Sequence, residues 1–171
     1  QQQLTFLMRH ASNDFSRWDA AQSLLATHIK LNVARQQQGQ PLSLPLHVAD
    51  AFRAILLDEK IDPALAAEIL TLPSASEIGE LFEIIDPLAI SAVREALTRT
   101  LATELADEVL AVYNANKLET YRVEHADIGK RSLRNTCLRY IAFGDAQLAD
   151  KLVSQQYHLA DNMTDALAAL S

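Results

Sequence analysis

Aromatic side chains make up only 6% of this 171-residue chain, and it holds just four glycines and five prolines. A sheet-rich fold needs turn residues every few positions and favours rings in its strands, so this scarcity points away from β structure. Cys137 is the single cysteine, which excludes an internal disulfide and is compatible with a reducing compartment. Basic residues are outnumbered, and a net charge of -7 argues against nucleic acid as a partner, because a binder must displace counterions from phosphates with a positive surface. No apolar run approaches the roughly 18–20 residues that cross a bilayer, and no basic-then-apolar leader opens the chain. The sequence therefore predicts no membrane partner and, by default, a cytoplasmic location.

Catalytic signatures are missing too. There is no H-E-x-x-H, no glycine-rich phosphate loop and no G-x-S-x-G elbow. No pair among His10, His28, His47, His125 and His158 has the four-residue spacing that points two imidazoles at one metal. Glu124 and His125 are adjacent, and neighbouring helical residues diverge by roughly 100°, so they make poor acid–base partners. These observations assign no catalytic, cofactor-binding or metal-binding residue.

What the chain does have is apolar periodicity. Nearly half of it, 49%, is hydrophobic, enough for one domain that buries roughly 68–70% of its unfolded surface. From Asp86 to about Leu118 the residues Ile90, Val93, Leu97, Leu101, Leu105, Val109 and Val112 recur at steps of three or four. That spacing predicts one helical rod roughly 45 Å long, opened by an aspartate cap and a first-turn proline. Asn13 or Asp14 predicts the start of a helix that ends in the glycine- and proline-bearing loop at 36–41. Pro45 predicts the next start, with Val48, Phe52, Ile55 and Leu56 inward. Asp62-Pro63 starts a third helix through Leu70, and Ser74 with Glu77 has the spacing of a capping box ahead of Ile78, Leu81 and Phe82. A helix over 124–143, a stop at Gly144, a cap at Asp145 and a last start at Asn162 complete the series. Leu4 to Met8 is too brief to look helical and reads as a short residual strand whose partners are missing, which hints at a cut boundary. The predicted fold is all-α, an irregular α-superhelix or α-solenoid of paired antiparallel helices.

Three features remain. Cys137 lies at a core-like position between Leu133 and Ile141 and reads as a small buried hydrophobe. Lys130, Arg131, Arg134 and Arg139 form a basic patch, read as a solvated face or a groove paired with acidic residues ahead of an anion site. Trp18, within Asn13 to Ala20, reads as local core ahead of a docking site for a neighbouring domain.

The run Leu7-Met8-Arg9-His10-Ala11-Ser12-Asn13-Asp14-Phe15-Ser16-Arg17-Trp18-Asp19-Ala20-Ala21-Gln22 closely resembles the passage from β-sandwich to C-terminal helical domain in the bacterial aminopeptidase N family, zinc metallopeptidases of the gluzincin type. The likeness continues through Leu42 to Pro45, Leu57 to Leu65, Arg94 to Leu97, Tyr121 to His125 and Asn162 to Leu167, and so spans essentially the whole chain. The resemblance implies residues 1–12 as the tail of a preceding β-sandwich domain or linker, and residues 13–171 as the N-terminal part of the C-terminal helical domain. It also implies a parent hydrolase that removes N-terminal amino acids from peptides, using zinc held by a H-E-x-x-H motif and a downstream Glu. None of those motifs stands in this sequence, so the fragment should be inactive alone and carry no zinc of its own. Its implied role is to wall the cavity that admits peptide substrates, in partnership with the catalytic and β-sandwich domains of the same chain. Faces severed from those domains predict self-association of the fragment. The alternative is a stand-alone helical-repeat module that binds a partner protein.

Overall fold

The computed structural model describes residues 2–11, 13–44 and 46–171, and among them every regular element is a helix. In chain order these are α1 (Gln2–His10), α2 (Asp14–Gln37), α3 (Leu46–Leu56), α4 (Pro63–Leu70), α5 (Ala75–Gly79), α6 (Pro87–Glu104), α7 (Ala106–Ala115), α8 (His125–Gly144), α9 (Ala146–Leu159) and α10 (Met163–Leu170). The all-α expectation stands. The expected helix start at Pro45 lies outside the described residues.

Most helix starts follow from side chains within three residues of the first turn. The carboxamide oxygen of Asn13 accepts from the backbone N–H of Ser16 at 2.7 Å. Asp62 caps Ala64 and Leu65, Asp86 caps Ala89, and Asp145 caps Gln147 and Leu148. At Ser74 the capping box is complete, with Glu77 returning the bond to the Ser74 N–H at 2.7 Å. Each cap satisfies donors that the first helical turn leaves unpaired. Past α2, Gly39 adopts φ +66, the left-handed region that only glycine enters without a steric penalty.

Two expectations are corrected. Residues 4–8 form part of α1 and not a strand. Leu4 and Met8, four apart, share the side that meets the core, while Phe6 and Leu7 face outward. A lone strand would leave its backbone groups unpaired, whereas a helix satisfies them within the segment. The C-terminal end of α1 is tied in as well, since Arg17 Nε donates to the Met8 carbonyl at 3.1 Å.

The second correction concerns the rod. It is broken at Leu105, whose φ of -117 and ψ of 18 leave helical space, although no proline or glycine is near. The cause sits on α3. Arg53 donates from Nη2 to the Glu104 carbonyl at 2.8 Å, from Nε to Glu108 at 2.7 Å and from Nη1 to Asp50 at 2.7 Å. A guanidinium that takes a carbonyl at the end of one helix and a carboxylate in the first turn of the next is the kind of insertion that bends a helix. The apolar stripe nonetheless runs on through the break, with Ile90, Val93, Leu97, Leu101, Leu105 and Val109 all buried.

The hub of the fold is α8. It packs against α4, α6, α7, α9 and α10, while α2 bridges α1, α4 and α6. Gly129 permits the close approach to α4, since a Cβ there would stand 3.1 Å from the backbone nitrogen of Ala64 at the start of that helix. Tyr140, 4% exposed, ties the other end of α4 by donating its hydroxyl to the Leu70 carbonyl at 2.6 Å. That carbonyl belongs to the last helical turn, where no intrahelical donor is available. Tyr140→Phe should orphan it and lower the unfolding free energy by about 1–3 kcal/mol. Urea unfolding checks this, and a loss under about 0.5 kcal/mol would show that water replaces the phenol.

Candidate functional site

The histidines divide into surface groups and one inward-facing pair, of which His28 is buried and His47 half-buried. His10 stacks near Phe6, His158 contacts its own helix at the Ser154 carbonyl, and His125 lies largely in solvent with Nε2 3.6 Å from Asp62. Glu124 precedes α8 without making a side-chain cap. Across α2 and α3, His28 and His47 meet with ring centroids 5.7 Å apart. Both nitrogens of His28 and Nε2 of His47 are buried without a hydrogen-bond partner. Nineteen residues separate them in sequence, so no local spacing could have paired them.

Burial pushes the His28 pKa below its ordinary value of 6.5, and the neighbouring His47 pushes it the same way. Above pH 6.5 the imidazole is neutral in both folded and unfolded chains and contributes no pH dependence. Below it the unfolded chain takes up a proton that the folded chain resists, so stability falls as pH falls, until the folded group also titrates. The slope for one such proton is at most about 1.4 kcal/mol per pH unit. Urea midpoints at pH 7 and pH 5.5 should diverge more for this chain than for His28→Gln, and equal differences would refute the buried-neutral assignment.

Zinc, implied by the family resemblance, does not fit the donors offered here. His28 and His47 bring two imidazoles together with no third ligand, and among the described residues no three His, Cys, Asp or Glu side chains gather into a metal-holding group. Cys137 is 1% exposed, and burial raises its thiol pKa to about 12, which leaves it protonated and unreactive.

The basic patch does not stay together. Lys130 and Arg139 are exposed, the latter on a groove it shares with Arg94 between α6 and α8. Arg131 is buried, lies over the Tyr121 ring and donates to the Arg122 carbonyl at 3.0 Å. Arg134 stacks on Tyr113. Among the described residues none of the four forms an ion pair within 4.0 Å; Lys130 and Arg139 fit the solvated-face reading, while Arg131 and Arg134 share grooves with Asp161 and Asp165 without direct pairing. Trp18 is half-buried against the core, in ring contact with exposed Phe15, in keeping with its reading as local core.

The most developed polar site escaped the sequence reading. It joins α7, α8, α9 and α10 around a cavity of about 140 Å³. Tyr113 Oη accepts from Arg134 Nη2 at 2.8 Å and donates to Gln156 Oε1 at 3.1 Å. Gln156 Nε2 donates to Asn135 Oδ1 at 2.8 Å, and Asn135 Nδ2 donates to Asp165 Oδ1 at 2.9 Å. Asn162 completes it, accepting from the Asp165 N–H and donating to Asp165 Oδ2, both at 2.9 Å. Desolvation raises the Tyr113 pKa, so the phenol remains a donor at neutral pH. Only the Asn162 cap was visible in the sequence, because the other partners are 21 to 43 residues apart.

Comparison with known proteins gives this scaffold its relatives. Escherichia coli aminopeptidase N is 81% identical over 170 residues, which is 99% of this chain and 20% of that protein. Haemophilus influenzae aminopeptidase N is 43% identical over 170 residues, 19% of its length. The chain thus spans about a fifth of the curated relatives it matches, and the resemblance noted in the sequence is borne out. Among solved structures, Legionella pneumophila aminopeptidase A in complex with aspartic acid superposes with a TM-score of 0.84 at 24% identity, over 99% of this chain and 20% of that one. At that identity the likeness speaks for the fold. A family model described as a domain of unknown function (DUF3458_C) with ARM repeats matches residues 1–171. By that match over its whole length, the chain belongs to the DUF3458_C family of ARM-repeat domains.

Proposed function

We propose that this chain is a non-catalytic part of the C-terminal helical domain of a zinc-dependent aminopeptidase N, where it walls the cavity that admits peptides. The parent enzyme removes N-terminal amino acids, with zinc and the catalytic groups supplied by other parts of the same polypeptide. The observation that carries this reading is the 81% identity to an aminopeptidase N along 99% of the chain but only 20% of the relative. The stacked helices add a rigid wall, held by Arg53 and Tyr140 at two of its joints. Residues 13–171 then begin the helical domain, and residues 1–12 lead in from a β-sandwich domain, with α1 folded back on α2 and α3. The catalytic and β-sandwich domains are its partners, and the cytoplasm its location.

The test is hydrolysis of aminoacyl-coumarin substrates by the isolated chain with added zinc. No turnover above a metal blank is expected, and chelator-sensitive turnover would overturn the proposal. Large apolar side chains at Ile84, Leu88, Val123 and Met163 lie more than 70% exposed, as surfaces shaped for neighbouring domains would be. Sedimentation should accordingly reveal concentration-dependent self-association, and a strictly monomeric species over a wide concentration range would count against it.

A further inference from the structure

The cavity between α7, α8, α9 and α10 holds two opposite charges that do not neutralise each other. Arg134 lines it with Nη2 spent on the Tyr113 hydroxyl and its guanidinium 4.4 Å from the Tyr113 ring centroid. Its Nε is buried without a partner, and among the described residues no carboxylate lies within ion-pair distance. Asp165 lines the same cavity, and among the described residues its two carboxylate oxygens accept only from the neutral amides of Asn135 and Asn162. A carboxylate has about four lone-pair sites, so each oxygen retains acceptor capacity. The Tyr113, Gln156 and Asn135 side chains form a hydrogen-bonded strut that links the two charges and holds each in place. Gln156, 3% exposed, fixes the middle of the strut.

We propose that this cavity binds a small zwitterion of the α-amino-acid class, with its carboxylate on Arg134 and its ammonium on Asp165. Charge-assisted hydrogen bonds at both ends would neutralise both groups. A simple anion would satisfy Arg134 but meet Glu119, Asp161 and Asp165, and a simple cation would meet Arg134 and Lys117. The lining therefore discriminates against ligands carrying one charge. The volume of about 140 Å³ is roughly ten times what one water needs, enough for a single amino acid. This inference stands apart from the cavity-wall role and does not rest on it.

Titration of the 15N-labelled chain with glycine, alanine and leucine, followed at the Arg134 Nε–H and Gln156 side-chain resonances, tests it. Saturable shifts are expected for at least one amino acid, with acetate and ethylamine binding at least about tenfold more weakly, about 1.4 kcal/mol. Arg134→Gln and Asp165→Asn should each weaken binding by a similar factor. If Arg134→Gln fails to fold by circular dichroism, Asp165→Asn, which keeps the shape and one of the two amide contacts, decides alone once circular dichroism shows it folded. No saturable shift with any amino acid overturns the proposal, as does acetate binding equally well or an Asp165→Asn chain that binds unchanged.

Discussion

Phe52→Ala is expected to lower the unfolding free energy by about 3–5 kcal/mol, the range for removing a large buried ring without full collapse of the site. Phe52 is 0% exposed, on the face of α3 that also buries Val48, Ala49 and Ile55. It belongs to the hydrophobic core shared by the packed helices, so a gap left there closes only by moving packed elements, and the lost contacts add to the lost transfer free energy. Against the roughly 5–15 kcal/mol that holds a typical domain together, this is a large share. It should depress Tm by about 6–20 °C, at roughly 2–4 °C per kcal/mol for a chain of this size. The control is Phe15→Ala, on a ring 70% exposed, which should stay within about 0.5 kcal/mol of the parent chain. Urea unfolding with unchanged m-values measures both, and similar losses for the two would mean that α3 does not pack as described.

The second large effect concerns α1. Met8→Ala should cost about 2–5 kcal/mol, because Met8 is 0% exposed and contributes to the same core as α2 and α3. Alanine is at least as good a helix former as methionine, so propensity cannot account for a loss. Phe6, 62% exposed on the same helix, serves as the comparison, and Phe6→Ala should fall within about 0.5 kcal/mol. A slack lead-in or a stray strand would make both substitutions equally harmless. That outcome would detach α1 from the domain and remove the reason for the helical assignment of residues 2–10.

The helix starts were readable because a cap is a local device. Asn13, Asp62, Ser74 with Glu77, Asp86, Asp145 and Asn162 each act on an N–H within three residues, so the signal and its effect share one short window. The inward face of α3 was readable for the same reason, since Val48, Phe52, Ile55 and Leu56 are spaced by the helix's own period. The strand expected at 4–8 failed because five apolar-rich residues fit either period, and the choice was made by α2 and α3, which offer a helix a surface to pack on. The break at Leu105 was hidden because its cause, Arg53, is 51 residues from the carbonyl it takes.

The sequence by itself determined that this chain is helical, where most helices begin, which faces are apolar and which enzyme family it resembles, because caps, periodicity and collinear likeness are all written along the chain. Only the tertiary structure decided that α8 is the hub, that the 86–118 rod breaks at Leu105, that His28 meets His47, and that Arg134 and Asp165 share one cavity through Tyr113, Gln156 and Asn135. Those arrangements depend on contacts between side chains some 20 to 70 residues apart. Their geometry is set by how helices stack, and no spacing within a single helix encodes it.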